Sequence, residues 1–128
     1  MLLDTHIWLW WVNEGDRLSD AQRSYIDSAD EIAVSAISCW EIALLVSHQR
    51  LRLTGTVLDW LETSLVFPKV RLFPISPEIA VEANFLPGEF QKDPADRIIV
   101  ATARVHNIEL LTLDSKILKY PHVKLAKP

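Results

Sequence analysis

Short apolar runs alternate along the chain with longer stretches of helical period. Leu2-Leu3 is a short buried strand that ends on Asp4, and Thr5 through Val12 continues as a helix stopped at Asn13-Glu14-Gly15-Asp16. Ser19 caps a helix from Asp20 to about Ser28. Ile32 to Val34 is a second strand, followed by a strongly apolar helix from Ala36 to about Gln49. Thr56 caps a helix from Val57 to Leu65 that carries Leu58, Leu61 and Leu65 on one face. Val70 to Ile75 is a third strand. Ser76-Pro77 opens a helix through Asn84, with proline in the first helical position. A loop from Leu86 to Lys92 leads to Asp93-Pro94, which opens a helix to about His106. Glu109 to Leu113 is a strand, Asp114 starts a helical turn through Leu118, and Val123 to Leu125 is a last edge strand.

Strands and helices alternate throughout. That order predicts a parallel sheet with helices on both faces, an α/β sandwich. No repeat or linker interrupts the 128 residues, so residues 1–128 are expected to form one domain. Ligands in such sheets bind beyond the carboxyl ends of the strands. Asp4 and Asp114 both stand at predicted carboxyl ends.

Charge narrows the classes of function. Thirteen basic and seventeen acidic residues leave a net charge of −4, which argues against a general electrostatic grip on nucleic acid. The halves differ: residues 1–64 hold 4 basic and 10 acidic residues (net −6), whereas residues 65–128 hold 9 and 7 (net +2). A basic rim built from Lys69, Arg71, Lys92, Arg97, Arg104, Lys116 and Lys119 is compatible with this division; for most of them solvated surface is the ordinary role. Arg97 is singled out as a substrate contact because it adjoins Asp96. One cysteine, Cys39, allows no internal disulfide, and no apolar stretch has transmembrane length. A cytoplasmic protein without a membrane partner is the expectation.

Four carboxylates, Asp4, Glu41, Asp96 and Asp114, are conspicuous for their apolar neighbours. On a helix, Glu41 has Ile37, Ser38, Leu44 and Leu45 three and four residues away, which is no solvated face. An isolated ionised carboxylate there carries a large desolvation cost, and Ser38 is one turn back to hold it. Asp96 heads the stripe Asp96, Ile99, Val100, Ala103 and is read as a ligand. Asp93 is read as the N-cap of the same helix. Asp4 and Asp114 each have capping as an alternative role. Carboxylates gathered on one side of one sheet repel, and a hard divalent cation relieves that repulsion. All-oxygen ligands favour Mg²⁺ or Mn²⁺ over zinc, and such a cation supports hydrolysis of a phosphodiester. The four histidines show no zinc spacing. His6, beside Asp4, is open to a substrate contact or to a plain surface role.

The residues resemble a known family. Leu2-Leu3-Asp4-Thr5-His6 is similar to the opening of PIN domains. Ser35 to Glu41 resembles their second motif, Asp93 to Ala103 their third, and Leu111-Thr112-Leu113-Asp114 their fourth. The resemblance is nearest to VapC-like toxins of bacterial toxin–antitoxin pairs. It implies a three-layer α/β sandwich with a mainly parallel sheet, and an Mg²⁺- or Mn²⁺-dependent endoribonuclease. It implies Asp4 and Asp96 as main metal ligands, with Glu41 and Asp114 completing the acidic centre. Thr5, Ser38 and Thr112 would support them from behind. It also implies a homodimer and a small cognate antitoxin covering the site. The apolar helix with Trp8, Trp10 and Trp11 offers a surface for such contacts, or is simply core. A catalytically silent PIN-like module that binds RNA or protein is the alternative function. A phosphorylatable receiver needs an acidic pair after the first strand, where only Asp4 stands. An Asp-x-Asp phosphatase fails because His6 occupies the second acidic position.

Overall fold

A computed structural model describes residues 1–128. Four strands, β1 (Leu2–Leu3), β2 (Ile32–Ser35), β3 (Val70–Phe73) and β4 (Leu110–Leu111), form one sheet in the order β3-β2-β1-β4. Every pairing is parallel; Leu2 lies opposite Ala33 and Leu110, and Leu3 opposite Val34 and Leu111. Seven α-helices flank it: α1 (Thr5–Asn13), α2 (Asp20–Asp27), α3 (Ala36–Ser47), α4 (Val57–Leu65), α5 (Pro77–Asn84), α6 (Pro94–His106) and α7 (Ser115–Leu118). A 3-10 turn at Gly15–Arg17 follows α1.

Helices cover both faces of the sheet, so its central strands read as unbroken apolar runs. All residues of β1, β2 and β4 are buried. Successive side chains of a strand point to opposite faces. Leu2, Ala33 and Leu110 therefore pack with Ile79, Ile99 and Val100 of α5 and α6. Leu3, Val34 and Leu111 pack with Trp8, Ile26, Ile42 and Trp60 on the other face. The result is the three-layer sandwich expected from the alternation of elements.

The ends of elements differ from the sequence reading for local reasons. β3 stops at Phe73, because Pro74 has no N–H for the ladder. The strand expected over Glu109–Leu113 is paired only at Leu110–Leu111. Beyond it the Asp114 N–H turns to the Thr112 hydroxyl at 3.0 Å, which draws the chain out of the sheet. α3 ends at Ser47, and Gln49 takes a left-handed φ of 58°. The expected edge strand at Val123–Leu125 reduces to one parallel bridge from Leu125 to Leu110.

Candidate active site

The carboxyl ends of the strands deliver the acidic residues to one place. Asp4 leaves β1 as the N-cap of α1 and is 7% exposed. Both of its oxygens are held: Oδ1 accepts from the Thr5 N–H at 2.8 Å and Oδ2 from the Thr112 hydroxyl at 2.7 Å. Asp114 leaves β4 and caps α7, its Oδ1 accepting from the N–H groups of Lys116 (2.8 Å) and Ile117 (3.3 Å). Glu41 lies on α3 one and a half turns beyond β2, where it accepts the Thr5 hydroxyl proton at 2.5 Å. That proton is then spent, so the 2.8 Å contact between Thr5 and the buried Ser38 has Ser38 donating. Ser38 supports Glu41 through Thr5 rather than directly, as its helical spacing had suggested.

The third arm comes from α6. Asp93 caps this helix by accepting from the Ala95 N–H at 3.1 Å, and Pro94 follows in the first turn. Asp96, one turn along, accepts from the Gln91 side-chain amide at 2.6 Å through Oδ2. Ile99, Val100 and Ala103 below it are buried as its stripe predicts.

Asp4, Glu41, Asp93, Asp96 and Asp114 line one cleft of about 290 Å³. His6, Ile7, Trp10 and Leu113 complete its wall. His6 is exposed there and stands 5.9 Å from the Trp10 ring. A larger hollow of about 530 Å³ lies at the amino ends of the strands, where Tyr25 donates to Glu109. It gathers no such set of carboxylates, and ligands of parallel sheets bind at the other end.

Crowding shifts the acids of the cleft. Burial, then the charges of Asp93, Asp4, Asp114 and Glu41, push Asp96 from an ordinary 3.8 to about 7. Burial also raises Asp4, against the pull of the Thr112 hydroxyl and the Thr5 N–H. Glu41 is raised by burial, against the Thr5 hydroxyl and with help from the charges of Asp4 and Asp93. The donor set is hard oxygen, and the mutual repulsion is of the kind a divalent cation removes. No three of these groups close on a point as a finished ligand cage. Mg²⁺ asks for less, one or two carboxylates with waters completing its shell, so the residues fit such an ion.

Arg97 is placed differently from its expected substrate contact. It is absent from the cleft wall, and its guanidinium donates to the backbone oxygens of Ala83 (2.8 Å), Phe90 (3.3 Å) and Gln91 (3.0 Å). Other members of the expected basic rim are also engaged elsewhere: Arg71 with Glu31, Arg104 with Glu82, Lys69 with the Asp27 carbonyl. Cys39 is half-buried, and burial raises its thiol, the opposite of what a nucleophile needs. Sequence reading missed Gln91, which sits in a loop without regular period, five residues before Asp96. It also missed Trp10 as a wall residue, although the His6–Trp10 spacing of four places both on one helix face.

Comparison with known proteins bears on the family and the fold. The PIN domain model matches residues 1–123. Ribonuclease VapC22 of Mycobacterium tuberculosis is 43% identical over 122 residues, covering 95% of this chain and 92% of the relative. Among solved structures, VapBC2 of Rickettsia felis, bound to a DNA fragment from its promoter, superposes with a TM-score of 0.71 at 19% identity. That match covers 98% of this chain and 96% of the other. FitAcB of Neisseria gonorrhoeae gives 0.69 at 24% identity with the same coverage. At those identities the two structures speak for the fold alone. No helix is long and apolar enough to cross a membrane. With the family model and a close relative both spanning nearly the whole sequence, the chain belongs to the PIN domain family.

Proposed function

We propose that this protein is an endoribonuclease that hydrolyses RNA phosphodiester bonds with Mg²⁺ or Mn²⁺, and that it is the toxin of a toxin–antitoxin pair. The observation that carries the reading is the meeting of Asp4, Glu41, Asp96 and Asp114, from four separate elements, in one cleft at the carboxyl edge of the sheet. Its 43% identity to a ribonuclease of the VapC group, and a fold shared with toxin–antitoxin complexes, support it. The chain acts as one PIN-like domain over residues 1–128, in the cytoplasm where its RNA is found.

Asp4 and Asp96 would hold the cation, with Glu41 and Asp114 completing the acidic centre. A cation held there would supply a water of lowered pKa and charge stabilisation for the phosphoryl oxygens. The protein's own residues do the rest by position. Thr112 and the Thr5 N–H fix both oxygens of Asp4. Ser38 and Thr5 fix Glu41. Asp93 holds the start of α6, and so the direction in which Asp96 enters the cleft. His6, exposed at the cleft wall, would meet the RNA backbone.

The partners are RNA, a second copy of the chain, and a small antitoxin that covers the cleft. The apolar surface near the site suits protein contacts: Trp10, Trp11 and Val12 are only partly buried, and Trp40 is 57% exposed. The test is cleavage of RNA by purified protein with Mg²⁺ or Mn²⁺. Asp4→Asn and Asp96→Asn should each abolish cleavage while the fold and melting cooperativity persist. Undiminished cleavage by Asp96→Asn refutes the mechanism. A wild-type protein that binds RNA without cleaving it supports the silent module instead.

A further inference from the structure

The loop from Phe85 to Lys92 has no regular structure, yet it is tied down along its length. Leu86 is buried in the core, and Phe90 packs against the Tyr120 ring at 4.8 Å. Tyr120 donates its hydroxyl to the Pro87 carbonyl at 2.6 Å. Gly88 makes the turn with a φ of 68°, a conformation glycine takes without penalty. Arg97 then grips the end of the loop. Its Nε holds Ala83 at the close of α5, and its Nη1 holds both Phe90 and Gln91. The guanidinium therefore reaches from one helix across to the backbone of the residue that touches Asp96.

We infer that Gln91 is a positioning residue for Asp96, and that Arg97 acts by fixing the backbone of Gln91 rather than by meeting RNA. This rests on the function proposed above. A carboxylate attached by one bond to its helix is free to rotate. The 2.6 Å bond from the Gln91 amide occupies Oδ2 and leaves Oδ1 with no partner in the protein. Only the N–H edge of an amide can face an ionised carboxylate, so the contact also sets which way the amide lies. The outcome is a single oxygen of Asp96 offered to the cleft in a defined direction. A lysine at position 97 keeps the charge but not the planar fork that spans carbonyls on two segments.

The experiment compares wild type, Gln91→Met, Arg97→Lys and the double variant. Methionine keeps the length and packing of the side chain and removes the donor. Binding of Mn²⁺ alone is followed by the loss of the free-ion electron paramagnetic resonance signal. RNA cleavage gives kcat and KM at limiting and saturating Mn²⁺, and thermal melts verify folding. Loss of a group that orients a metal ligand costs roughly 10–100-fold in metal affinity, and Gln91→Met should fall in that range. Its RNA KM should stay within about twofold of wild type while kcat at limiting Mn²⁺ drops and recovers at saturation. Arg97→Lys should weaken Mn²⁺ in the same way, and the double variant should lose little more than either single one, because both act through one contact. Wild-type Mn²⁺ affinity in folded Gln91→Met overturns the inference. So does a full multiplication of the two losses, or an Arg97→Lys protein with raised RNA KM and unaltered Mn²⁺ affinity. Wild type that binds Mn²⁺ but cleaves no RNA overturns the ribonuclease reading alone, since the ratio of affinities still tests Gln91. Wild type that binds no Mn²⁺ overturns both.

Discussion

Replacing Asp96 by asparagine should make the metal-free protein more stable, and the gain should depend on pH. Burial and the neighbouring carboxylates push Asp96 up to about 7 in the folded protein, against an ordinary 3.8. For a sealed group that is about 4 kcal/mol at 1.36 kcal/mol per unit. The cleft is open to water, so screening reduces it by roughly half, to about 2 kcal/mol. Asparagine also forfeits the attraction between a carboxylate and the start of α6, about 0.3–1 kcal/mol. The net gain is about 1–2 kcal/mol, or roughly 3–10 °C in melting temperature for a chain of this size. The sign follows from proton binding. Between pH 4 and 7 the folded state holds a proton on Asp96 that the unfolded chain releases, so wild type loses stability as pH rises through that window. Asparagine has nothing to titrate. The assay is a series of melts with a chelator present, from pH 4 to pH 8. The gap between variant and wild type should open through this range, level off above about pH 7 and close near pH 4. Mn²⁺ should then reverse the order, adding about 2.7 kcal/mol to wild type at a hundred times its dissociation constant. A variant that melts below wild type at pH 8 without metal, or a gap that ignores pH, refutes the reasoning.

Affinity for Mn²⁺ should fall below pH 7, by up to about tenfold per pH unit as Asp96 takes up its proton; titrations at pH 6 and pH 8 measure this. Thr112→Val removes the hydroxyl that donates to Asp4 and leaves a buried oxygen unpartnered, at about 1–3 kcal/mol. Burial raises the titration of Asp4, and the cost should shrink as pH falls through it, as paired denaturation curves would reveal. Leu3→Ala opens a cavity in the fully buried strand that leads into Asp4 and should cost about 2–5 kcal/mol, read from urea midpoints.

What could be read from the chain alone was whatever depends on near neighbours. Apolar runs ending in aspartate placed Asp4 and Asp114 at strand ends, since a buried run and the polar residue that closes it lie within four positions. The caps at Ser19, Thr56, Ser76 and Asp93 were legible for the same reason, as each bonds a backbone group two or three residues on. The apolar surroundings of Glu41 marked it as a carboxylate in need of partners. The partners themselves came from the tertiary structure. Glu41 is held by a threonine 36 positions away, and Asp4 by a threonine 108 positions away. Adjacent sequence suggested that Arg97 works beside Asp96 on substrate. Instead its fork reaches one carbonyl of α5, at Ala83, and two of the loop before α6, at Phe90 and Gln91, and the path of that loop sets Gln91 against the carboxylate five residues on. Periodicity and capping are short-range properties of a polymer and survive in its sequence. The direction of a side chain and the identity of its distant partner exist only after the sheet has brought separate segments together.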